Sequence, residues 1–266
     1  MTPKITVIMP TYNRARYIAE AIRSVQSQTL REWEMIVIDD GSTDGTEKIV
    51  REIAATDPRI SYFKNEKNLG IAKTRNRGVS LAKADYVAML DSDDVWASPD
   101  KLVKQISFLE QNKNFGIVGV NACFINEDGK AVGKRTNFPS EDVGIRKTEL
   151  YRNILMQSGL LIKKSAILKA GGYDSSFSIF DDHDLWLKIG LDYEFMILPS
   201  VDLSYRVHKD GITMERRLKT AREGIKILFK YKKYYPGFFI GFFVCVGRFF
   251  ISKMFVFWFR TLFART

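Results

Sequence analysis

Two aspartates set two residues apart carry the clearest chemical signal in this chain. Asp91 and Asp93 lie in the run DSDD (91–94). In extended backbone, residues two apart point the same way. Carboxylates aimed at one point repel each other unless a cation lies between them. Hard oxygens with open positions suit Mg2+ or Mn2+ bridging a diphosphate. The bland alternative is a solvated loop in which Ser92 or Asp94 caps a turn. Asp39-Asp40-Gly41 opens a second polar run, DDGSTDGT (39–46). It is either a strand-ending turn or a place where a carboxylate accepts from a nucleobase N–H or a ribose hydroxyl. In PTYNR (10–14), Tyr12 could stack on a base while backbone near Pro10 meets its edge. Otherwise Thr11 or Asn13 simply caps a helix. Asp181-Asp182 form a favourable N-cap pair for the helix that follows, and one can cap while the other takes a proton. His208, in YRVH (205–208), is a neutral imidazole for a metal or diphosphate, or a histidine at a strand end.

These runs need a scaffold that gathers them. KITVIM (4–9) reads as a buried strand ended by Pro10. Apolar Ile18, Ala21, Ile22 and Val25 predict a helix over 15–28. WEMIVID (33–39) is a second strand, and a helix over 44–55 starts with Asp44 as N-cap and Glu47 three residues on. A strand at 60–64, a helix at 71–82 and a strand at 85–90 continue the alternation. A helix over 99–112 begins with Ser98 as N-cap and Pro99 at its first position. Such an order implies a mostly parallel sheet with helices on both faces. In open α/β sheets ligands bind outside the carboxyl ends of the strands, so the first three polar runs should share one crevice.

Past residue 114 the pattern changes. FGIVGVNACFIN (115–126) reads as one long strand or two with a bend, turned into a hairpin by EDG (127–129). Helix, strand and helix follow over 146–170. A helix at about 182–190 precedes short strands near 194–198 and 201–207, with Leu185 and Trp186 on its core face. QSG (157–159) is expected to help wall an acceptor site.

Composition narrows the classes. The chain has 266 residues, 45% hydrophobic and 27% charged, which excludes disorder. Cys123 and Cys245 are the two cysteines, so neither a disulfide framework nor a four-cysteine zinc site fits. Two histidines disfavour a histidine-cluster mechanism. Residues 201–266 hold 14 basic and 4 acidic residues, the whole net charge of +10. That excess lies beside a run, 237–263, with 10 of the 19 phenylalanines. The pairing points to a membrane surface and away from nucleic acid. The span 237–259 is long enough to cross a bilayer, but Arg248 sits at its midpoint and Lys253 adds a second charge. Arg248, Ser252, Lys253 and Arg260 share one arc of a helical wheel, which favours a helix lying in the interface. MTPKITVIMP shows no signal peptide pattern, so the catalytic part is expected to stay in the cytoplasm.

VIMPTYNR (7–14), VIDDGSTDGT (37–46), NLGIAKTRNRG (68–78) and YVAMLDSDD (86–94), in this order, resemble the family 2 glycosyltransferases. GGYDSSF (171–177), FDDHDLWLKIG (180–190) and YRVHKDGIT (205–213) extend the resemblance over residues 4–213. It implies the GT-A fold, a mostly parallel central sheet with helices on both faces, to which the basic, phenylalanine-rich tail adds a C-terminal amphipathic helical membrane-associated segment. It also implies direct displacement with inversion, a nucleotide-sugar donor and Mn2+ or Mg2+. Catalytic residues 1–214 would divide into a nucleotide-sugar half (1–98) and an acceptor half (99–214), with 215–266 as the membrane-associating helices. By this resemblance Asp40 contacts the base, Asp91 the ribose and diphosphate, and Asp93 the metal. His208 completes the metal site, and Pro10, Tyr12 and Arg14 line the donor. Lys73 or Arg75 faces the nucleotide, Lys73 being the first candidate. The family's acidic pair reads Asp181-Asp182 here, so Asp182 is the expected base. His183 would be structural or acceptor-facing.

The expected enzyme moves a sugar, UDP-linked as the first case, to a glycan or lipid-linked acceptor in surface polysaccharide assembly. It would sit peripherally or monotopically at the cytoplasmic face of the inner membrane, on anionic lipid, with no nucleic-acid partner. A sugar nucleotidyltransferase of related fold is disfavoured because PTYNR lacks a Gly-rich basic phosphate loop. A degenerate glycan-binding protein is disfavoured by intact Asp40, Asp91, Asp93 and Asp182. No GxGxxG follows the first strand, against a dinucleotide dehydrogenase.

Overall fold

The structure, a computed structural model, describes residues 2–133, 135–208 and 217–247. Apolar runs buried on both sides make the centre of the sheet. β1 (Ile5–Thr11), β2 (Trp33–Asp39), β3 (Ile60–Lys64) and β4 (Tyr86–Met89) are parallel. β5 (Val95–Trp96), β6 (Phe115–Ile125), β7 (Leu161–Lys163) and β8 (Glu194–Arg206) extend the sheet in the order β3-β2-β1-β4-β7-β6-β8-β5. β6 and β8 are parallel, whereas β7 is antiparallel to both β4 and β6, and β5 to β8. The sheet is therefore mixed, its second half less parallel than the sequence pattern implies. The reason is β7: three residues reached by a short turn, inserted between two longer strands.

The helices divide between two faces because side chains alternate along each strand. Val7, Met9 and Ala88 face one core with α1 (Ile18–Gln26), α2 (Thr46–Ala54) and α4 (Lys101–Gln111). Ile8, Val87 and Met89 face the other. There lie α3 (Ile71–Leu81), α5 (Asp142–Glu149), α6 (Lys164–Lys169), α7 (Asp181–Ile189) and α8 (Arg217–Tyr231). Gly78 lets α3 lie directly on β1, since a Cβ there would fall 2.4 Å from Ile8 Cγ2.

Three details differ from the sequence pattern. β1 runs through Pro10 to Thr11, with Pro10 opposite Ile38. Thr11 O accepts from Asp40 on the β2 side, while Ile8 O accepts from Leu90 on the β4 side. Pro10 shares the orientation of Ile8, so its missing N–H falls where β4 has already ended. The two short strands expected at 194–207 are one strand, β8, whose register slips between its pairs at Leu198 and Val201. The hairpin after β6 is reduced to one bridge, Ile125 to Ala131.

The C-terminal segment is partly a core element. Ile227, Leu228 and Tyr231 of α8, then Tyr235 and Cys245, are buried with α7 and β8. Among the described residues no helix is long and apolar enough to cross a membrane. Most of the 237–259 span, with Arg248, Lys253 and Arg260, lies outside the described residues.

Candidate active site

Parallel register brings the polar runs together. Thr11 stands opposite Asp39, and Ile8 opposite Met89, so PTYNR lies between DDGS and DSDD at one edge of the sheet. Asn13 locks the first two. It takes φ 52°, the one positive value at a non-glycine among the described residues, which asparagine tolerates better than most. Its N–H donates to Ser42 Oγ (2.8 Å) and its Oδ1 accepts from Thr43 N (2.9 Å). The next amide, Arg14 N, donates to Thr46 Oγ1 at 2.9 Å. Asp44, expected as the N-cap of α2, stands one residue earlier than the N-cap, Gly45; its carboxylate accepts from Thr46 N (3.0 Å), the first helical amide, and from Ala15 N (3.1 Å). This loop geometry aims Arg14 across the crevice, where Nε donates to Asp93 Oδ2 at 3.1 Å.

Asp93 is the hub of one corner. Its Oδ2 also accepts from His208 Nε2 at 3.0 Å. Burial pushes the Asp93 carboxyl up, but the His208 hydrogen bond and the Arg14 charge outweigh it, leaving the group below the usual range. Arg206, at the end of β8, donates to Asp93 O (2.8 Å), while its amide holds Asp94 Oδ1 (2.8 Å). Ser158 Oγ donates to Asp94 Oδ2 at 2.5 Å. Burial, with Asp93 and Asp91 beside it, drives the Asp94 carboxyl well up. QSG (157–159) is therefore a buried strut beneath DSDD, not an exposed wall.

Arg75 organises the other corner. From α3 its Nη1 donates to Asp181 Oδ2 (2.9 Å) and its Nη2 to Asp91 Oδ1 (3.1 Å). Lys73, two residues earlier, is exposed on the helix surface. Of the two candidate cations, Arg75 is thus the one among the carboxylates. Asp182 follows at the start of α7, half-buried. Burial, then the Asp181 charge, pushes it up to about 7 against the pull of Arg75. Asp91 is also raised, by burial first, with Arg75 opposing and Asp93 adding. These mutual influences put Asp91, Asp93, Asp181 and Asp182 in one neighbourhood. Tyr205 belongs there too: burial and the charges of all three DSDD aspartates and Asp182 raise its phenol, so its O–H remains a donor.

Asp40 has a different situation. Its carboxylate accepts from Asn65 Nδ2 (2.7 Å), Leu69 N (2.8 Å) and Gly70 N (2.9 Å). It therefore holds the loop leading into α3. Asp39 likewise accepts from Ser42 N (2.7 Å) and the Tyr62 hydroxyl (2.6 Å). Tyr12 is 45% exposed at the mouth, and Pro10 is buried in β1. His183 is buried against Glu149, and Trp186 is core, so neither faces a ligand.

Two groups can hold a divalent ion. Asp93 Oδ2 and His208 Nε2 are 3.0 Å apart. Adjacent ligands of an octahedral ion with bonds of about 2.1 Å are about 3 Å apart, so the pair fits such a corner. Among the described residues no third His, Cys, Asp or Glu completes a cage. Carboxylate plus imidazole, finished by substrate phosphates and water, suits Mg2+ or Mn2+.

Sequence reasoning passed over Arg206, read Asp94 only as a turn cap and read Ser158 only as part of an acceptor wall. Arg206 had a legible signal, the end of β8 two residues before His208. Ser158 had none, because a strut is recognised only by what it supports.

The model of "Glycosyl transferase family 2" matches residues 6–172. Glycosyltransferase MJ1057 of Methanocaldococcus jannaschii is 33% identical over 77% of this chain and 71% of its own. Mannosyltransferase PcManGT of Pyrobaculum calidifontis, solved with GDP-Man and Mn2+, superposes with TM-score 0.68 at 24% identity. That match covers 90% of this chain and 67% of the other. Staphylococcus aureus TarS 1-349 with UDP-GlcNAc gives TM-score 0.69 at 21% identity, over 85% of this chain and 64% of TarS. The chain thus spans just under two thirds of that solved TarS chain. The residues matched by the family model contain PTYNR, DDGS, Arg75 and DSDD, the side of the crevice built by the first half of the chain, and this glycosyltransferase with the GT-A fold belongs to glycosyl transferase family 2.

Proposed function

We propose that the chain transfers a sugar, with inversion, from a nucleotide-diphosphate donor to a hydroxyl of a glycan or lipid-linked glycan. UDP-linked sugars are the first donors to test. The observation carrying this is the meeting of Asp91, Asp181 and Asp182 around Arg75, with Asp93 beside Asp91. The donor pyrophosphate would lie along Asp91, Asp93 and Arg14, with Tyr12 against the base. A divalent ion held by Asp93 and His208 would supply Lewis-acid stabilisation of the leaving diphosphate. Arg75 fixes Asp91 and Asp181, so neither drifts from the crevice. Asp182 takes the proton of the attacking hydroxyl as the bond to the sugar forms. A base poised near the working pH combines availability with driving force, and Asp182 at about 7 has that balance.

The acceptor is assigned to a membrane surface. Phe239, Ile240 and Phe243 are 75%, 56% and 71% exposed on the helical stretch 238–247. Lys232 lies over the rings of Phe229 and Phe238. Exposed apolar side chains beside lysines suit anionic lipid headgroups. We assign the enzyme to the cytoplasmic face of the inner membrane, bound peripherally. Deleting residues 236–266 should abolish flotation with vesicles containing anionic lipid, and retained flotation would refute that assignment. The decisive experiment is a nucleotide-sugar screen with Mn2+ and a membrane lipid extract, read by mass spectrometry. A product heavier by one sugar is expected. No mass gain with any nucleotide sugar, despite UDP binding, would end the transfer reading.

A further inference from the structure

The run 216–233 carries eight basic residues and one acid, and that acid is Glu223. It is buried at 6% exposure, although it lies on a helix whose other charges are cationic. Its carboxylate accepts from Ser178 N (3.1 Å), Ser178 Oγ (2.9 Å), Ile179 N (3.0 Å) and Phe180 N (3.3 Å). Those are the three residues immediately before α7. Phe180, the N-cap of α7, has no polar side chain, and no side-chain cap is made there. A carboxylate from a distant helix thus ties down the segment that enters α7, just before the amides that a local Ser or Asp cap would take. Two further ties run from α8 to the same helix. Lys230 Nζ (2.6 Å) and the Tyr231 hydroxyl (2.8 Å) both donate to Asp184 Oδ1.

We infer that Glu223 is a positioning residue for glycosyl transfer: α8 holds the chain entering α7, and thereby fixes where Asp182 presents its carboxylate. This rests on the reading of Asp182 as the base. Asp182 lies two residues beyond the last amide that Glu223 holds, with no loop between to absorb a shift. A displacement of about 1 Å at a reacting group can cost a hundredfold in rate. The donor is assigned to the loops after β1 and β4, which Glu223 does not touch; they meet α7 only through the Arg75 bridge from Asp91 to Asp181. The same helix leads into the exposed phenylalanines, which makes α8 the physical link between the membrane-facing surface and the base.

The test is Glu223→Gln in the full chain, with Glu223→Asp as the conservative partner. Glu223→Gln should lower kcat about 10- to 100-fold with the donor KM within about twofold of wild type. Glu223→Asp, which keeps the charge, should recover part of the loss. Loss of kcat and donor affinity together, or a wild-type kcat, would overturn the inference. A base misassignment shows separately: Asp182→Asn would then keep turnover. Hydrogen exchange reads the same contact without substrate. The amides of 178–180 should exchange about tenfold faster in Glu223→Gln while those of β1 and β2 stay protected. Unchanged protection at 178–180 would also overturn it.

Discussion

The rim built by β1 and β2 and the seam where DSDD meets α7 treat carboxylates in opposite ways. On the rim, acids are given donors. Asp44 lies below its usual range because hydrogen bonds from Thr46 and Ala15 outweigh burial, the largest single influence. Asp39 and Asp40 are filled by backbone amides and side-chain donors. At the seam, apart from Asp93 with its Arg14 and His208 donors, acids are crowded against acids. Burial and like charges raise Asp91, Asp94 and Asp182, and Glu149 behind them is raised well up by burial. His183, packed beside Glu149, is pressed down to about 4 by burial, so it too stays neutral. The difference teaches a division of labour. The rim uses ionised carboxylates to fix loops, whereas the seam holds carboxylates that gain from an incoming cation or proton.

The largest expected effect comes from the seam. Asp182→Asn should reduce turnover by about 10² to 10⁴, the range of a lost general base, with nucleotide binding retained. In the wild type, kcat/KM should rise about tenfold per pH unit below about 7 and level above it, since the ionised form is the base. A flat profile between pH 5 and 8 would remove Asp182 from that role. Next in size is Asp93→Asn, measured by calorimetry with UDP and Mn2+. Losing one anionic ligand of two, and the partner of both Arg14 and His208, should weaken Mn2+-dependent UDP binding by about 10 to 100-fold. Equal affinity would show that the ion sits elsewhere.

The rim is also the part most legible in the sequence, for a physical reason. Its strands are continuous apolar runs, and its loops follow local rules: an Asp that accepts from the first amide of α2, glycine or asparagine where φ is positive. Those are contacts between residues near in sequence or at strand ends in register. The seam is assembled from distant segments. Ser158 reaches Asp94, Arg206 reaches Asp93, and Arg75 reaches Asp181 more than a hundred residues away. No local spacing encodes those pairs. β7 escaped the parallel pattern for the same reason, since three residues carry no periodicity to read. Family likeness did point to Asp91, Asp93, Asp182 and His208, and the fold brings them to one crevice. It left Lys73 and Arg75 open, and burial separates them: a helix face turned inward takes Arg75 to the acids and leaves Lys73 outside.

The smallest effect sharpens the comparison most, because one chemical change should have opposite signs in the two regions. Asp40→Asn replaces a carboxylate that accepts three hydrogen bonds, two from backbone amides. An amide group turns one acceptor into a donor facing donors, so the fold should lose about 1.5–3 kcal/mol. Asp182→Asn removes a group whose folded-state pKa is raised to about 7. An unfolded aspartate ionises near 3.9, so the folded form holds its proton more tightly. Wild-type stability is then greatest at low pH and falls as pH rises from about 4 through about 7. Above that window the charge is a fixed cost, part of which water and Arg75 screen. Asparagine avoids it, so Asp182→Asn should be about 1–2 kcal/mol more stable than wild type at pH 8, and no more stable at pH 4. Thermal unfolding at the two pH values reads both variants. A Tm lowered by Asp182→Asn at pH 8 would mean that this aspartate is as well satisfied as Asp40, and the contrast between rim and seam would fall.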